Sequence, residues 1–231
     1  RLQSFPDSYY FFGNQRDKLN QIGNAVPPII GFQLGKQLKE QLHVSNAVEL
    51  FAGAGGMFYG MKEAGIKHII ANDIDKSACI TLKINNPETD VLCGDINDEL
   101  IQHEIISKAI KEKADIIAGG PPCQGFSLAG FRRDDDPRNK LFKQFYKIVK
   151  DVNPKAFIFE NVPGLLSYKS GKTYNEIKQV FKDLNYNVMG EQLMFNEYAV
   201  PQKRKRVIII GIRNDLNVDP ESLYPTKITQ N

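Results

Sequence analysis

The stretch Ala114-Asp115-Ile116-Ile117-Ala118-Gly119-Gly120-Pro121-Pro122-Cys123 decides how this chain is read. An apolar run of strand length ends abruptly in two glycines and two prolines. Proline fixes φ and lacks a backbone donor, so the strand stops and the thiol of Cys123 stands at its carboxyl end. Open α/β sheets build their sites at that end of their strands. A single cysteine is more often an inert buried side chain, so its meaning depends on what surrounds it.

Working outward, strands and helices alternate from Asn46 onward. Ala47 to Phe51 reads as a buried strand, followed by a glycine turn and a helix from Met57 to Ala64. His68 to Asn72 and Val91 to Cys93 read as strands, with helices at Lys76 to Ile84 and Glu99 to Lys113. Asp115 to Ala118 is the fourth strand. Leu141, Phe145, Ile148, Val149 and Val152 recur at helical spacing. Ala156 to Phe159 is a fifth strand, Tyr174 to Leu184 a helix, and Asn187 to Leu193 and Arg206 to Ile212 two further strands. Such alternation predicts an α/β fold with a mainly parallel sheet and helices on both faces. The first forty-odd residues stand apart. Arg1 to Phe12 is aromatic and irregular, and Ile29 to Leu42 is an amphipathic helix with prolines placed at its start.

Bulk properties narrow the class. The chain has 231 residues, 42% hydrophobic and 25% charged, which suits a water-soluble globular core of one domain, or of one large domain plus a fragment. No apolar run is long enough to span a membrane, and no signal peptide opens the sequence. Three cysteines without a CxxC pair argue against a disulfide framework and suit a reducing cytoplasm. Three scattered histidines give no metal-ligand spacing, so no metal is expected. A net charge of +3 does not announce a nucleic-acid binder. Local basic runs do more: Arg132-Arg133, and Lys203-Arg204-Lys205-Arg206.

The turn Phe51-Ala52-Gly53-Ala54-Gly55-Gly56 lets the backbone bend tightly and approach a ligand. Asp73 ends the second strand and Asp95 follows the third, where carboxylates suit ribose hydroxyls and an adenine amino group. The alternative is that both cap the helices after them. The turn lacks a P-loop lysine, which disfavours a triphosphate. Glu160 and Asn161 follow the fifth strand, beside the strand that carries Cys123. Burial there would raise the Glu160 pKa and let it hold a proton, although a capping role is equally open. On an extended segment Gln202, Arg204 and Arg206 share one face and Lys203 and Lys205 the other, so inward arginines could clamp Glu160 and a substrate carbonyl.

With these parts in view, the chain resembles the C5-cytosine-specific DNA methyltransferases. The ordered blocks are ELFAGAGG, NDID, GDI, GGPPCQGFS, ENV, QKRKR before a strand, RLQSFPD and QIGNAVPP, and they cover Arg1 to about Arg213. The resemblance implies a Rossmann-like S-adenosylmethionine-dependent methyltransferase fold, with seven strands and an antiparallel last strand. It implies that Cys123 attacks C6 of a flipped-out cytosine, that Glu160 holds the N3 edge, and that Arg206 and Arg204 support the ring and its phosphates. C5 would then take the methyl group of S-adenosylmethionine, leaving S-adenosylhomocysteine. Phe51, Ala52, Gly53, Gly55, Asp73, Ile74, Asp95, Ile96, Pro122, Leu141 and Asn24 would surround that cofactor. Gln124, Ser127, Arg132, Arg133, Arg138 and Gln202 would face DNA, most of them on a closing loop.

Two departures from the family pattern follow. RLQSFPD and QIGNAVPP, motifs IX and X, normally come last and here come first, so a circular permutation is expected: residues 1–45 pack onto a catalytic domain of residues 46–231. The target-recognition domain that separates these blocks in the family is absent from the chain, so it is expected on another segment or another polypeptide, or to have been trimmed away. The partners implied are double-stranded DNA and a recognition module, with no membrane, in a bacterial cytoplasm beside the nucleoid and within a restriction-modification system. A tRNA cytosine methyltransferase and a non-catalytic subunit of the same fold are the alternatives.

Overall fold

Strands that are buried on both faces read as near-continuous apolar runs, and such runs form the centre of this protein. The computed structural model describes residues 2–121, 140–168 and 170–228. In chain order the elements are α1 (Gln15–Asn24), α2 (Pro28–Leu42), β1 (Asn46–Leu50), α3 (Gly56–Glu63), β2 (Lys67–Asp73), α4 (Lys76–Asn85), β3 (Asp90–Cys93), α5 (Glu99–Lys111) and β4 (Ile116–Gly119). They continue as α6 (Lys140–Val152), β5 (Ala156–Asn161), α7 (Gly164–Ser167), α8 (Lys172–Lys182), β6 (Tyr186–Met194) and β7 (Lys205–Arg213).

The seven strands lie in the order β3-β2-β1-β4-β5-β7-β6. β3, β2, β1, β4 and β5 pair in parallel, and β7 enters antiparallel between β5 and β6. The sheet is thus mainly parallel with an antiparallel last strand, as expected. Chain order reverses between β1 and β4, and the carboxyl ends of those two neighbours flank the crevice where such sheets bind ligands.

Alternation divides the core between the two faces. From β5, Phe157 and Phe159 join a cluster with Phe142 and Phe145 of α6 and Ile177 and Phe181 of α8. Ala156 and Ile158 turn to the opposite face, against Ile30, Leu34 and Leu38 of α2 and Met57 and Met61 of α3. The N-terminal helix α2 therefore covers the same face as α3. The two helices cross backbone to backbone: a methyl group on Gly60 would run into the Pro28 carbonyl and the Phe32 amide.

Three local differences from the sequence reading have physical causes. β1 stops at Leu50 because Phe51 turns to φ +54°. β5 continues through Glu160 and Asn161 because β7 pairs with both, at Ile208 and Val207. Helix α1 is not evident from apolar periodicity. It is held by a capping box, in which Asn14 accepts from the Asp17 amide while the Asp17 carboxylate accepts from the Asn14 amide. The aromatic opening packs as well: Phe5, Tyr9 and Phe11 contact one another, and Tyr9 meets Tyr59 of α3 edge-on.

Candidate active site

The site begins where β1 ends. Phe51 takes a left-handed conformation, which for a bulky residue costs on the order of 1–3 kcal/mol and is retained where the surroundings over-determine it. Here they do. The Ala52 amide donates to the Asn72 carbonyl at 3.0 Å, and the Gly55 amide donates to the Ala52 carbonyl at 2.9 Å. Gly53 and Gly55 also have positive φ, +54° and +81°, and Gly55 opens α3 with no side-chain cap.

Asp73 locks this turn to β2. One carboxylate oxygen accepts from the Gly53 amide at 2.7 Å and the other from the Asp75 amide at 2.8 Å. Burial holds its pKa above the ordinary carboxylate value, and these amides oppose the shift. The helix caps are other residues: Asp75 caps α4 and Asp98 caps α5. Asp95 instead accepts from the Asn97 amide and side chain.

A cleft of about 240 Å³ opens beside the turn. Asn24, Phe51, Ala52, Gly53 and Asp73 line it, with Gly119, Gly120 and Glu160 on the side of β4 and β5. Gly55, Ile74, Asp95, Ile96 and Leu141 are not among the residues that line it. Gly55 closes the turn through its amide, which donates to the Ala52 carbonyl. Ile74 is 70% exposed, Ile96 is buried in the core, and Leu141 packs partly buried against that core.

Glu160 faces the cleft from β5. Arg206 Nε approaches its Oε1 at 2.6 Å. The ion pair is close but poorly directed, for that buried oxygen receives no well-formed hydrogen bond. Burial pushes the Glu160 pKa up, while Arg206 and Arg204 pull it down. The next residue, Asn161, donates to the Pro121 carbonyl at 2.8 Å, tying the end of β5 to the segment that leads into Cys123. The expected alternation holds: Gln202, Arg204 and Arg206 are half-buried while Lys203 and Lys205 are exposed. Arg204 does not reach Glu160 closely. Its guanidinium donates to the carbonyls of Gly23 and Asn24, so the lead into β7 is fastened to the N-terminal segment.

Pro122, Cys123, Gln124, Ser127, Arg132, Arg133 and Arg138 lie outside the described residues. One residue that sequence reasoning passed over is Glu49, in the middle of β1. It is buried, lines the cleft, and lies 3.3 Å from the fully buried His68, which stacks on Phe58. The available signal was a charged residue inside the otherwise apolar strand Ala47 to Phe51. Among the described residues no cluster of three or more His, Cys, Asp or Glu side chains is arranged to hold a metal ion. No described helix is long and apolar enough to cross a membrane.

A glycine turn locked to an acidic strand end, at the crevice of a mainly parallel sheet closed by an antiparallel strand, defines a nucleoside-type α/β enzyme fold. The more particular assignment comes from comparison. The model of the C-5 cytosine-specific DNA methylases matches residues 1–40 and 45–231, and the chain belongs to that family. It is 40% identical over 191 residues to the Type II methyltransferase M.Eco47II of Escherichia coli, covering 80% of this chain and 44% of the relative. It is 45% identical over 181 residues to M.Sau96I of Staphylococcus aureus, covering 78% and 41%. Against M.AquIA of a Picosynechococcus strain it is 40% identical over 178 residues, covering 72% and 71%. Among solved structures it superposes on the Dnmt2 methyltransferase of S. pombe with TM-score 0.58 and 26% identity, covering 74% of this chain and 51% of that one. The chain spans less than half the length of the first two of these curated relatives.

Proposed function

We propose that this chain is the catalytic part of a DNA cytosine-C5 methyltransferase of restriction-modification type. The observation that carries the reading is Glu160: a largely buried carboxylate at a strand's carboxyl end, clamped by Arg206, opening on the same cleft as the Gly53–Asp73 turn.

The cleft suits S-adenosylmethionine. A side chain at Gly53 would meet nothing within 4 Å, which leaves room for close approach of a ligand to the backbone. Asp73 is already fixed to receive ribose hydroxyls, and the buried carboxylate of Glu49 suits an ammonium group. Bound there, S-adenosylmethionine would supply an electrophilic methyl group.

The chain's own residues would do the rest. C5 of a pyrimidine is a weak nucleophile. Attack of the Cys123 thiolate on C6 forms a carbon–sulfur bond and shifts electron density to C5. Glu160, whose pKa is raised by burial, holds a proton at the N3 edge as that density builds. Arg206 keeps Glu160 in place and offers donors to the ring oxygen. After methyl transfer the C5 proton leaves as a base removes it, and the C6–sulfur bond breaks to restore the ring. The base lies inside a duplex, so it must be flipped out.

The same reading extends to organisation. Residues 1–45 serve as the permuted end of the catalytic domain, supported by the packing of α2 on α3 and by Asn24 at the cleft. Base readout would come from a recognition module beyond these residues, while the basic segment near Arg204 positions phosphates.

The test is a duplex carrying 5-fluorocytosine, incubated with the chain and S-adenosylmethionine, with and without an added recognition module. Fluorine cannot leave C5 as a proton does, so a covalent protein–DNA adduct is expected, and Cys123→Ser abolishes it. Adduct formation that persists in Cys123→Ser, or no adduct in either mixture, would overturn the assignment.

A further inference from the structure

Two cysteines that the proposed reaction does not use converge beside the nucleoside turn. Cys79 lies in the first half of α4 and is buried, while Cys93 ends β3 and is exposed. Both meet at the main chain of Asp73. In the pairing of β2 with β3, Asp73 is the partner of Cys93. The Asp73 carbonyl accepts the Gly94 amide at 2.9 Å and the Cys79 thiol at 3.3 Å. Cys79 therefore reaches the Asp73 carbonyl through its thiol while Cys93 lies beside Asp73 in the β2–β3 pairing, so the two residues flank one peptide from two elements. Burial is the first cause, and the Cys93 thiol the second, of a Cys79 pKa pushed far up.

We propose that Cys79 and Cys93 form an oxidisable dithiol site that takes a low-molecular-weight disulfide as its oxidant and, once closed, weakens ligand binding in the adjoining cleft. The asymmetry of the pair sets the order of events. The exposed Cys93 reacts first: its thiolate attacks one sulfur of the oxidant, forming a mixed disulfide and releasing one small thiolate. Cys79 then loses its proton, and its thiolate attacks Cys93 Sγ. The protein disulfide forms and the second small thiolate departs. Two electrons pass to the oxidant, and both protons end on the released small thiols. Because a buried thiol ionises reluctantly, the second step is the slow one and accelerates as pH rises.

Closure acts on the cleft through Asp73. The Cys79 S–H is consumed, so the Asp73 carbonyl loses that donor, and the start of α4 is tied to the end of β3. The carboxylate of the same residue holds the Gly53 amide. This second half of the inference rests on the cofactor reading of the cleft; the cross-link itself does not.

The experiment treats the intact chain with glutathione disulfide and maps tryptic peptides by mass without reduction. The expected product joins peptides 77–83 and 84–108 with the loss of two hydrogens, and it also forms in Cys123→Ser. A stable mixed disulfide on Cys93 alone, or linkage of either thiol to Cys123, would overturn the site. Cys93→Ser, altered at an exposed position, should retain its fold and give no linked product. Calorimetric titration with S-adenosylhomocysteine then reads the coupling: the oxidised chain should bind about tenfold more weakly, one decade of affinity, and recover with dithiothreitol. Equal affinity in a fully cross-linked sample would overturn the coupling. A reduced chain that fails to bind would instead sink the cofactor reading, with the peptide map still deciding the cross-link.

Discussion

The glycine turn and the β5–β7 side of the cleft are built on opposite principles. At the turn the polar groups are spoken for: Asp73 accepts two amides, and the Ala52 and Gly55 amides find carbonyls, while deeper in β1 and β2 Glu49 Oε2 and both ring nitrogens of His68 have no well-formed partner. On the β5–β7 side buried polar atoms are left over: Glu160 Oε1, Gln202 Oε1 and Arg204 Nε have no well-formed partner. A satisfied lattice is preorganised and rigid, and suits a ligand that must bind in one pose. Unsatisfied buried groups cost stability, and they are retained where something else is to complete them. The difference teaches that the turn is finished as a binding surface, while the β5–β7 side holds buried groups that a bound molecule would complete.

The comparison breaks most readily at Glu160. Glu160→Gln should lower methyl transfer by roughly 10²–10⁴-fold, the range for losing a positioned acid or base, with S-adenosylhomocysteine affinity unchanged by calorimetry. If affinity fell in step with rate, the two sides would not be separable. Next in size is Asp73→Ala, which leaves the Gly53 amide without its acceptor. It should weaken cofactor binding by about 10- to 100-fold, as loss of a charge-assisted hydrogen bond does, and Asp73→Asn should recover part of this. Smaller again is Arg204→Ala, which removes the tie from the β7 lead to the Gly23 and Asn24 carbonyls. For a half-exposed side chain a loss of about 1 kcal/mol is expected in urea unfolding. A loss several times larger would mean that this basic segment is a structural strut rather than part of the unfinished side.

What could be read from sequence follows the same divide. The strands were legible because burial on both faces leaves continuous apolar runs, as in Ile116 to Ala118 and Val207 to Ile210. Asp73 was legible because a glycine turn followed at fixed distance by a strand-end carboxylate is a local pattern. The inward set Gln202, Arg204 and Arg206 followed from strand periodicity alone. Long-range pairings were not legible. Nothing local tells that Arg204 reaches Gly23 rather than Glu160, or that Glu49 meets His68 across two strands. Likewise α1 carries too few apolar residues to mark its period, and only its Asn14–Asp17 cap announces it.

The last probe of the unfinished side is also the most direct, because it needs no substrate. Burial raises the Glu160 pKa above the ordinary carboxylate value despite two nearby arginines. The folded state therefore keeps the proton to a higher pH than the unfolded chain does. Between the unfolded and folded values the native state binds more protons, so stability falls as pH rises through that window. A glutamine at this position has no proton to lose. Glu160→Gln should thus gain stability relative to the parent chain as pH is raised from about 4 toward neutrality, by at most about 1.4 kcal/mol per pH unit. The gain should level off once the parent carboxylate is fully ionised. Urea unfolding of both proteins over that range measures it. A relative gain that grew toward acid pH would mean that the arginines outweigh burial, and that Glu160 is already paired in the free protein.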